Sequence, residues 1–247
     1  MTEPGTEQNI AMVTGGSTGI GWEICRQMLG AGYEVVSLAR RKPPQSHAKL
    51  HAVEVDLMDA AATGQAAADI ALRFAITHVV HNAGVVRPAL LPDVELDDLQ
   101  ALSQLHLGAA ITLVQAALPA MKKIRFGRIV LMSSRGALGL ATRTAYAATK
   151  AGMVGMARTW ALELAGDGIT VNVVAPGPIS DTEMFRSIVP EHSEREKALA
   201  AAIPVKRLGH SDDVARAVMF FCDRANGFVT GQTLYVCGGA SLGTIVI

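Results

Sequence analysis

Tyr146 and Lys150 stand four residues apart in the run Tyr146-Ala-Ala-Thr-Lys150. On a helix, positions i and i+4 share a face, so this spacing sets an ammonium beside a phenol. A free tyrosine has a pKa of about 10 and neither gives nor takes a proton readily near neutrality. A neighbouring positive charge favours the phenolate and lowers that value. The pair is therefore a candidate acid/base device. Many helices carry this spacing without using it, so the rest of the chain must supply the other parts of a site.

The chain has 247 residues, half of them hydrophobic, with only 4% aromatic. Ala, Val, Ile and Leu must then build the core, as in a sheet covered by helices on both faces. Short apolar runs at Ile10–Val13, Glu34–Ala39, Leu50–Val55, His78–His81, Arg128–Met132, Thr170–Val174 and Thr233–Val236 read as strands. Segments of helical composition separate them: Ile20–Gly30, Ala60–Phe74, Leu99–Lys123, Ala145–Leu164 and Asp212–Cys222. This alternation predicts a single α/β domain over 1–247, with a doubly wound, mostly parallel seven-stranded sheet and helices on both faces. One excursion, about 177–208, breaks the rhythm and holds a predicted helix around Glu191–Ala202. Long excursions of this kind tend to be functional, and this one is expected to be a substrate lid.

The formal net charge is zero, which points to neither nucleic acid nor a charged membrane surface as partner. Cys25, Cys222 and Cys237 lack a metal-like spacing and read as reduced thiols of a cytoplasmic protein, with no metal site expected. The polar N-terminus does not read as a secretion signal. No apolar stretch is expected to span a bilayer.

The first strand runs into Thr14-Gly15-Gly16-Ser17-Thr18-Gly19-Ile20-Gly21. A glycine-rich turn between strand and helix lets the backbone approach a pyrophosphate, to which the helix offers free amides and a positive dipole end. The second strand ends Leu38-Ala39-Arg40-Arg41. An acidic residue there suits a ribose 2′-hydroxyl and an arginine suits a 2′-phosphate, so NADP(H) is favoured over NAD(H).

Further along, Asn82-Ala83-Gly84 closes the fourth strand, Ser133 and Ser134 close the fifth, and Pro176-Gly177-Pro178-Ile179 follows the sixth. With the glycine loop, the Tyr146/Lys150 pair, Gly231-Gln232-Thr233 and Gly238-Gly239, the chain resembles the short-chain dehydrogenase/reductase family over nearly its whole length, and its 3-oxoacyl-carrier-protein reductase-like branch in particular. The resemblance implies a Rossmann-type fold and hydride transfer between a nicotinamide and a carbonyl or secondary alcohol. Tyr146 would be the proton donor in reduction, and Lys150 would lower its pKa and hold the ribose. Ser133 would stabilise the substrate oxygen. Ser134 competes for that role, and Gly136, three residues after Ser133, favours Ser133.

Gly15, Ser17, Thr18, Gly19, Ile20 and Gly21 would hold the pyrophosphate, and Arg40 and Arg41 the 2′-phosphate. Asp56 and Leu57 would border the adenine, and Asn82, Ala83 and Gly84 the ribose. Pro176, Gly177 and Ile179 would meet the nicotinamide edge, with Thr182 at its carboxamide or phosphate. Where the family has an asparagine completing a proton relay, this chain has His106, read either as a relay member or as a core histidine. Val236-Cys237-Gly238-Gly239 lacks the acidic residue common at its second position.

The expected reaction is NADPH-dependent reduction of a ketone or 3-oxoacyl thioester. An NAD-dependent secondary alcohol dehydrogenase is the alternative, and a silent dinucleotide-binding sensor or scaffold the rival from another class. Gly136–Leu140 and the lid residues Ile179, Met184, Phe185, Ile188 and Val189 suggest a partly hydrophobic ketone. Lys122, Lys123 and Arg125 could meet an acidic carrier protein, but Asp167 occupies a position where a base is common. The resemblance also implies a homotetramer joined through the two long helices, with Ala109, Ile111, Leu113 and Val114 on one and Met153, Met156, Ala157 and Trp160 on the other.

Overall fold

In a computed structural model, which describes residues 9–242, all five residues of β1 (Ile10–Thr14) are buried. Ile10 and Met12 join one hydrophobic cluster, and Ala11 and Val13 join another on the opposite face. Successive side chains of a strand point to opposite faces, so β1 must be covered on both sides. The covering helices are α2 (Ala60–Arg73), α4 (Ala109–Ile124) and α5 (Thr144–Leu164) on the first face, and α1 (Gly19–Gly30) and α8 (Ser211–Cys222) on the second.

The remaining strands are β2 (Glu34–Ala39), β3 (Leu50–Glu54), β4 (His78–His81), β5 (Gly127–Met132), β6 (Ile169–Pro176) and β7 (Thr233–Val236). They form one sheet in the order β3-β2-β1-β4-β5-β6-β7. Every pairing is parallel, so the sheet is wholly rather than mostly parallel. The order reverses between β1 and β4, and a ligand crevice opens at such a switch point, beyond the carboxyl ends of the strands.

The predicted helix Leu99–Lys123 begins earlier and is not uniform. α3 (Leu96–Ser103) passes into a π-helical turn, Gln104–Gly108, which leads into α4. Leu96–Ile124 is one helical stretch long and apolar enough to cross a bilayer, contrary to expectation. In this fold it lies along the sheet with Leu102, Leu113 and Met121 inaccessible to solvent. Within 177–208 the chain forms α6 (Glu183–Arg186) and α7 (Glu194–Ala202), each started by a side-chain cap, from Thr182 and Ser193 respectively. Phe185, Val189, Ile203 and Leu208 give this segment a small core of its own. Phe185, Val189 and the buried Ile179 are therefore packing residues. Met184 and Ile188 remain exposed.

Candidate active site

Tyr146 and Lys150 occupy the first two turns of α5, and both are buried. Lys150 Nζ lies 5.7 Å from the centre of the Tyr146 ring. It donates to the carbonyl oxygen of Met132 at 2.6 Å. Burial pulls the Lys150 pKa down to about 7. The Tyr146 phenol is pushed above 10 by burial, an effect partly offset by the Ser134 hydroxyl and the charge of Arg143. Burial outweighs the charges around the phenol, so its net shift is upward.

The two serines at the end of β5 face different ways. Ser133 continues the ladder, its N–H donating to Val174 O at 2.8 Å. Its hydroxyl donates to the main-chain carbonyl of Lys150 at 2.7 Å, and the residue is buried. Ser134 leaves the ladder and caps the short turn Arg135–Leu138, its Oγ accepting from Gly136 N–H at 3.0 Å. Its hydroxyl and the Tyr146 ring both line Gly136, and the hydroxyl draws the phenol pKa back down. The geometry therefore sets Ser134, not the expected Ser133, at the phenol. The last ladder bond, which the glycine spacing does not reveal, fixes which serine turns into the crevice.

His106 sits at the middle of the π-helical turn with no solvent exposure. Such turns often occur at functional positions. Thr149 Oγ1 lies 3.0 Å from Ala145 O and 3.1 Å from Tyr146 O, so its single proton is directed to these carbonyls. It then accepts from His106 Nδ1–H at 2.8 Å, which leaves His106 Nε2 as a lone-pair acceptor. That atom is buried and without a hydrogen-bond partner among the described residues. It looks onto Gly84, where a Cβ would come within 3.1 Å of His106 Nε2 and 3.3 Å of Lys150 Nζ. Burial, with the nearby Lys150 charge, drops the His106 pKa to about 2 and keeps the ring neutral.

Thr14, which sequence reasoning did not single out, ties the crevice together. Its Oγ1 accepts from the N–H groups of Asn82 and Ala83, each at 2.9 Å. Its proton then goes to His81 Nδ1 at 3.1 Å, and His81 Nε2–H donates to Leu105 O at 3.0 Å. This chain of bonds fixes the ends of β1 and β4 against the π-helical turn. Nothing in the sequence marks a strand-terminal threonine for such a role.

The glycine turn is built for a close approach. A Cβ on Gly21 would lie 2.0 Å from Gly15 O, so only glycine fits. The N-cap of α1, Thr18, makes no side-chain hydrogen bond, and the first turn carries no acid. Its amides are left for an anion. The bare turn and these amides fit a dinucleotide pyrophosphate. Ser17 is buried in the turn, and Ile20 is half-buried in the first turn of α1.

Arg41 pairs with Glu183 at 2.8 Å across the crevice mouth, both side chains being well exposed. Arg40 is exposed. Asp56 is exposed, and its carboxylate accepts from Met58 N–H at 2.9 Å. The Leu57 side chain belongs to the core, so only its backbone can face a ligand. Pro176 ends β6, and Gly177 N–H donates to Val236 O at 2.9 Å. Ile179 bridges to Gly209. The Thr182 hydroxyl accepts from Phe185 N–H at 3.2 Å and donates to Ile179 O at 2.9 Å, while its methyl lies against Gly19. Lys122, Lys123 and Arg125 precede β5, at the end of the sheet opposite Ser134, and Lys122 is paired with Asp167 at 3.1 Å.

The family model described as enoyl-(acyl carrier protein) reductase matches residues 15–241. A 3-oxoacyl-(acyl-carrier-protein) reductase of Salmonella typhimurium is 34% identical over 241 residues, covering 94% of this chain and 97% of the relative. The chain belongs to the short-chain dehydrogenase/reductase family. It is accordingly an oxidoreductase. Another relative is a hydroxy(phenyl)methylsuccinyl-CoA dehydrogenase subunit of Thauera aromatica, 36% identical over 248 residues, with 96% of this chain and 98% of the relative covered. Among solved structures, a putative NAD(P)-dependent gluconate 5-dehydrogenase from Beutenbergia cavernae, with bound NADP, is similar at a TM-score of 0.87 and 31% identity. The match covers 95% of this chain and 97% of that one. The all-parallel Rossmann-type sheet is thus the family's fold.

Proposed function

We propose that this protein is an NADPH-dependent reductase of a ketone or 3-oxoacyl thioester, with Tyr146 as the proton donor. The observation that carries this reading is the buried Tyr146/Lys150 pair with Ser134 at the phenol, at the sheet end where the glycine turn opens. The relatives support it, since one is named a 3-oxoacyl-carrier-protein reductase and a structural neighbour holds NADP.

When bound, the cofactor supplies the hydride to the carbonyl carbon. Gly15, Ser17, Thr18, Gly19, Ile20 and Gly21 hold its pyrophosphate, and Arg40 and Arg41 the 2′-phosphate. Asp56 and the Leu57 backbone border the adenine, Asn82, Ala83 and Gly84 the ribose, and Pro176, Gly177 and Ile179 the nicotinamide. Thr182 acts at its edge while capping α6.

The raised pKa keeps Tyr146 protonated at neutral pH, as a proton donor must be. Ser134 donates a hydrogen bond to the oxygen where negative charge grows. Ser133 fixes the Lys150 backbone instead. Lys150 donates to Met132 O and, weakly, to Met153 Sδ at 3.8 Å, which leaves a donor to stabilise the phenolate and the ribose. A pKa of about 7 also lets Lys150 return a proton at neutral pH. His106 Nε2, which shares the space at Gly84 with Lys150 Nζ, would serve as a hydrogen-bond acceptor in a relay.

Leu138, Leu140, Met184 and Ile188 are exposed apolar side chains on the segments after β5 and β6, which suits a partly hydrophobic substrate. The Lys122–Asp167 pair weighs against a carrier protein docking on that lysine. We further read the protein as a cytoplasmic homotetramer. Ala109, Leu113, Val114, Met153 and Ala157 are buried within one subunit, so the contact would use Ile111, Met156, Trp160 and the exposed Leu162.

The test is turnover of a ketone panel with NADPH by wild type and Tyr146→Phe. Wild-type activity that falls by about 10²-fold or more in the variant supports the reading. Equal activity in both, or none in either despite cofactor binding, overturns it.

A further inference from the structure

The crevice mouth carries more positive charge than the proton-transfer chemistry uses. Arg87, on the loop after β4, is paired with Asp98, and Arg41 with Glu183. Arg143 is different. It stands immediately before α5, half-buried, and its Nη1 donates only to the neighbouring Thr142, at 2.5 Å to Oγ1 and 3.3 Å to the carbonyl. Among the described residues no carboxylate pairs with it, and the first turn of α5 holds no acid. Arg135, the residue after Ser134, is likewise half-buried and enters no ion pair among the described residues.

Arg143 is also held in place and close to the reacting groups. Thr142 adopts a left-handed φ of 66°, which a β-branched residue tolerates only where its surroundings impose it. Ala89 N–H donates to Thr142 O at 3.0 Å, and Ala89 forms a β-bridge with Arg143. The Arg143 charge reaches the phenol, since it is one of the two influences that draw the Tyr146 pKa back down. A fixed guanidinium with free donors, half out of water and lacking an anion, is a binding group for a carboxylate, whose two oxygens match its fork.

We propose that Arg143 forms an anion subsite, and that the ketone reduced here carries a carboxylate a few bonds from its reacting carbonyl. This rests on Tyr146 being the proton donor to a ketone. The carboxylate lies on Arg143 while the carbonyl oxygen meets Ser134 and Tyr146. The apolar remainder of the substrate then leaves past Leu138 and Leu140, which are 58% and 46% exposed.

Calorimetric titration of succinate, and of its uncharged analogue succinamide, into the full-length protein with NADP⁺ tests the subsite without turnover. Wild type should bind succinate at least about tenfold more tightly than succinamide. Arg143→Gln should remove that preference, weakening succinate about ten- to a hundredfold, and Arg143→Lys should recover part of it. Circular dichroism of each variant guards against misfolding, and the Lys variant keeps the test open if the Gln variant does not fold. Wild type without an acid preference, or Arg143→Gln with the wild-type preference, overturns the proposal. The ketone panel separates the two ideas. Tyr146-dependent reduction without a succinate preference removes the subsite alone, whereas Tyr146-independent turnover removes the reductase reading.

Discussion

The ammonium of Lys150 is bonded to the carbonyl oxygen of Met132 at 2.6 Å, which ties the second turn of α5 to the end of β5. The Ser133 hydroxyl closes the link from the other side by donating to the Lys150 carbonyl at 2.7 Å. A lysine held this way gives up its hydration, and its pKa falls from 10.5 to about 7.

That shift links stability to pH. Between about pH 7 and 10.5 the unfolded chain keeps the Lys150 proton and the folded chain has released it. The contribution of this group to stability therefore rises with pH over that window. It is complete above the unfolded pKa and is lost as pH falls to about 7. Lys150→Met removes the dependence. Urea unfolding at pH 7 and pH 9.5 should show wild type gaining stability relative to the variant, on the order of a few kcal/mol. A constant difference would mean that the ammonium is not desolvated.

The two serines should separate by readout. Ser134→Ala should lower kcat/KM for a ketone by about 10²-fold or more, since it removes a donor to developing charge. Ser133→Ala should lower thermal stability, by about 1 kcal/mol for a lost buried hydrogen bond, with the smaller effect on turnover. The reverse pattern would return the catalytic assignment to Ser133.

Cofactor choice should depend on the loop after β2. Wild type should favour NADPH over NADH in kcat/KM, and Arg41→Ala or Arg40→Ala should cut that ratio by about tenfold. The Arg41–Glu183 pair is well exposed, so breaking it to admit a 2′-phosphate costs little. A wild type that prefers NADH, with the ratio unmoved by either variant, contradicts this use of the arginines.

Light scattering at micromolar concentration should give the mass of four chains. Leu162→Glu, at a side chain that is 86% exposed in the single subunit, should dissociate that assembly without unfolding it. A wild-type monomer contradicts the tetramer.

Much of this fold can be read directly from the amino-acid pattern. Strands such as Val79-Val80 and Ile129-Val130-Leu131 are buried on both faces, and only a parallel sheet covered twice accommodates them. The glycine turn declares itself because a Cβ on Gly21 would collide with Gly15 O. The serine choice was less legible. Successive strand-end residues point in opposite directions, and the last ladder bond, Ser133 N–H to Val174 O, has no mark in the sequence. The behaviour of the Tyr146/Lys150 pair was hidden as well, because spacing predicts proximity but not desolvation. Thr14, Thr149 and Arg143 depend on neighbours distant in sequence, Asn82, His106 and Ala89, and pattern alone cannot supply those partners.

Transfer of deuterium from [4,4-²H₂]NADPH tests the central claim most directly. With a ketone that the protein reduces, mass spectrometry of the product alcohol should find one deuterium on the carbinol carbon. The rate should fall by about 10²-fold or more in Tyr146→Phe. An alcohol without the label, or a Tyr146→Phe variant as fast as wild type, would contradict hydride transfer coupled to proton donation by Tyr146.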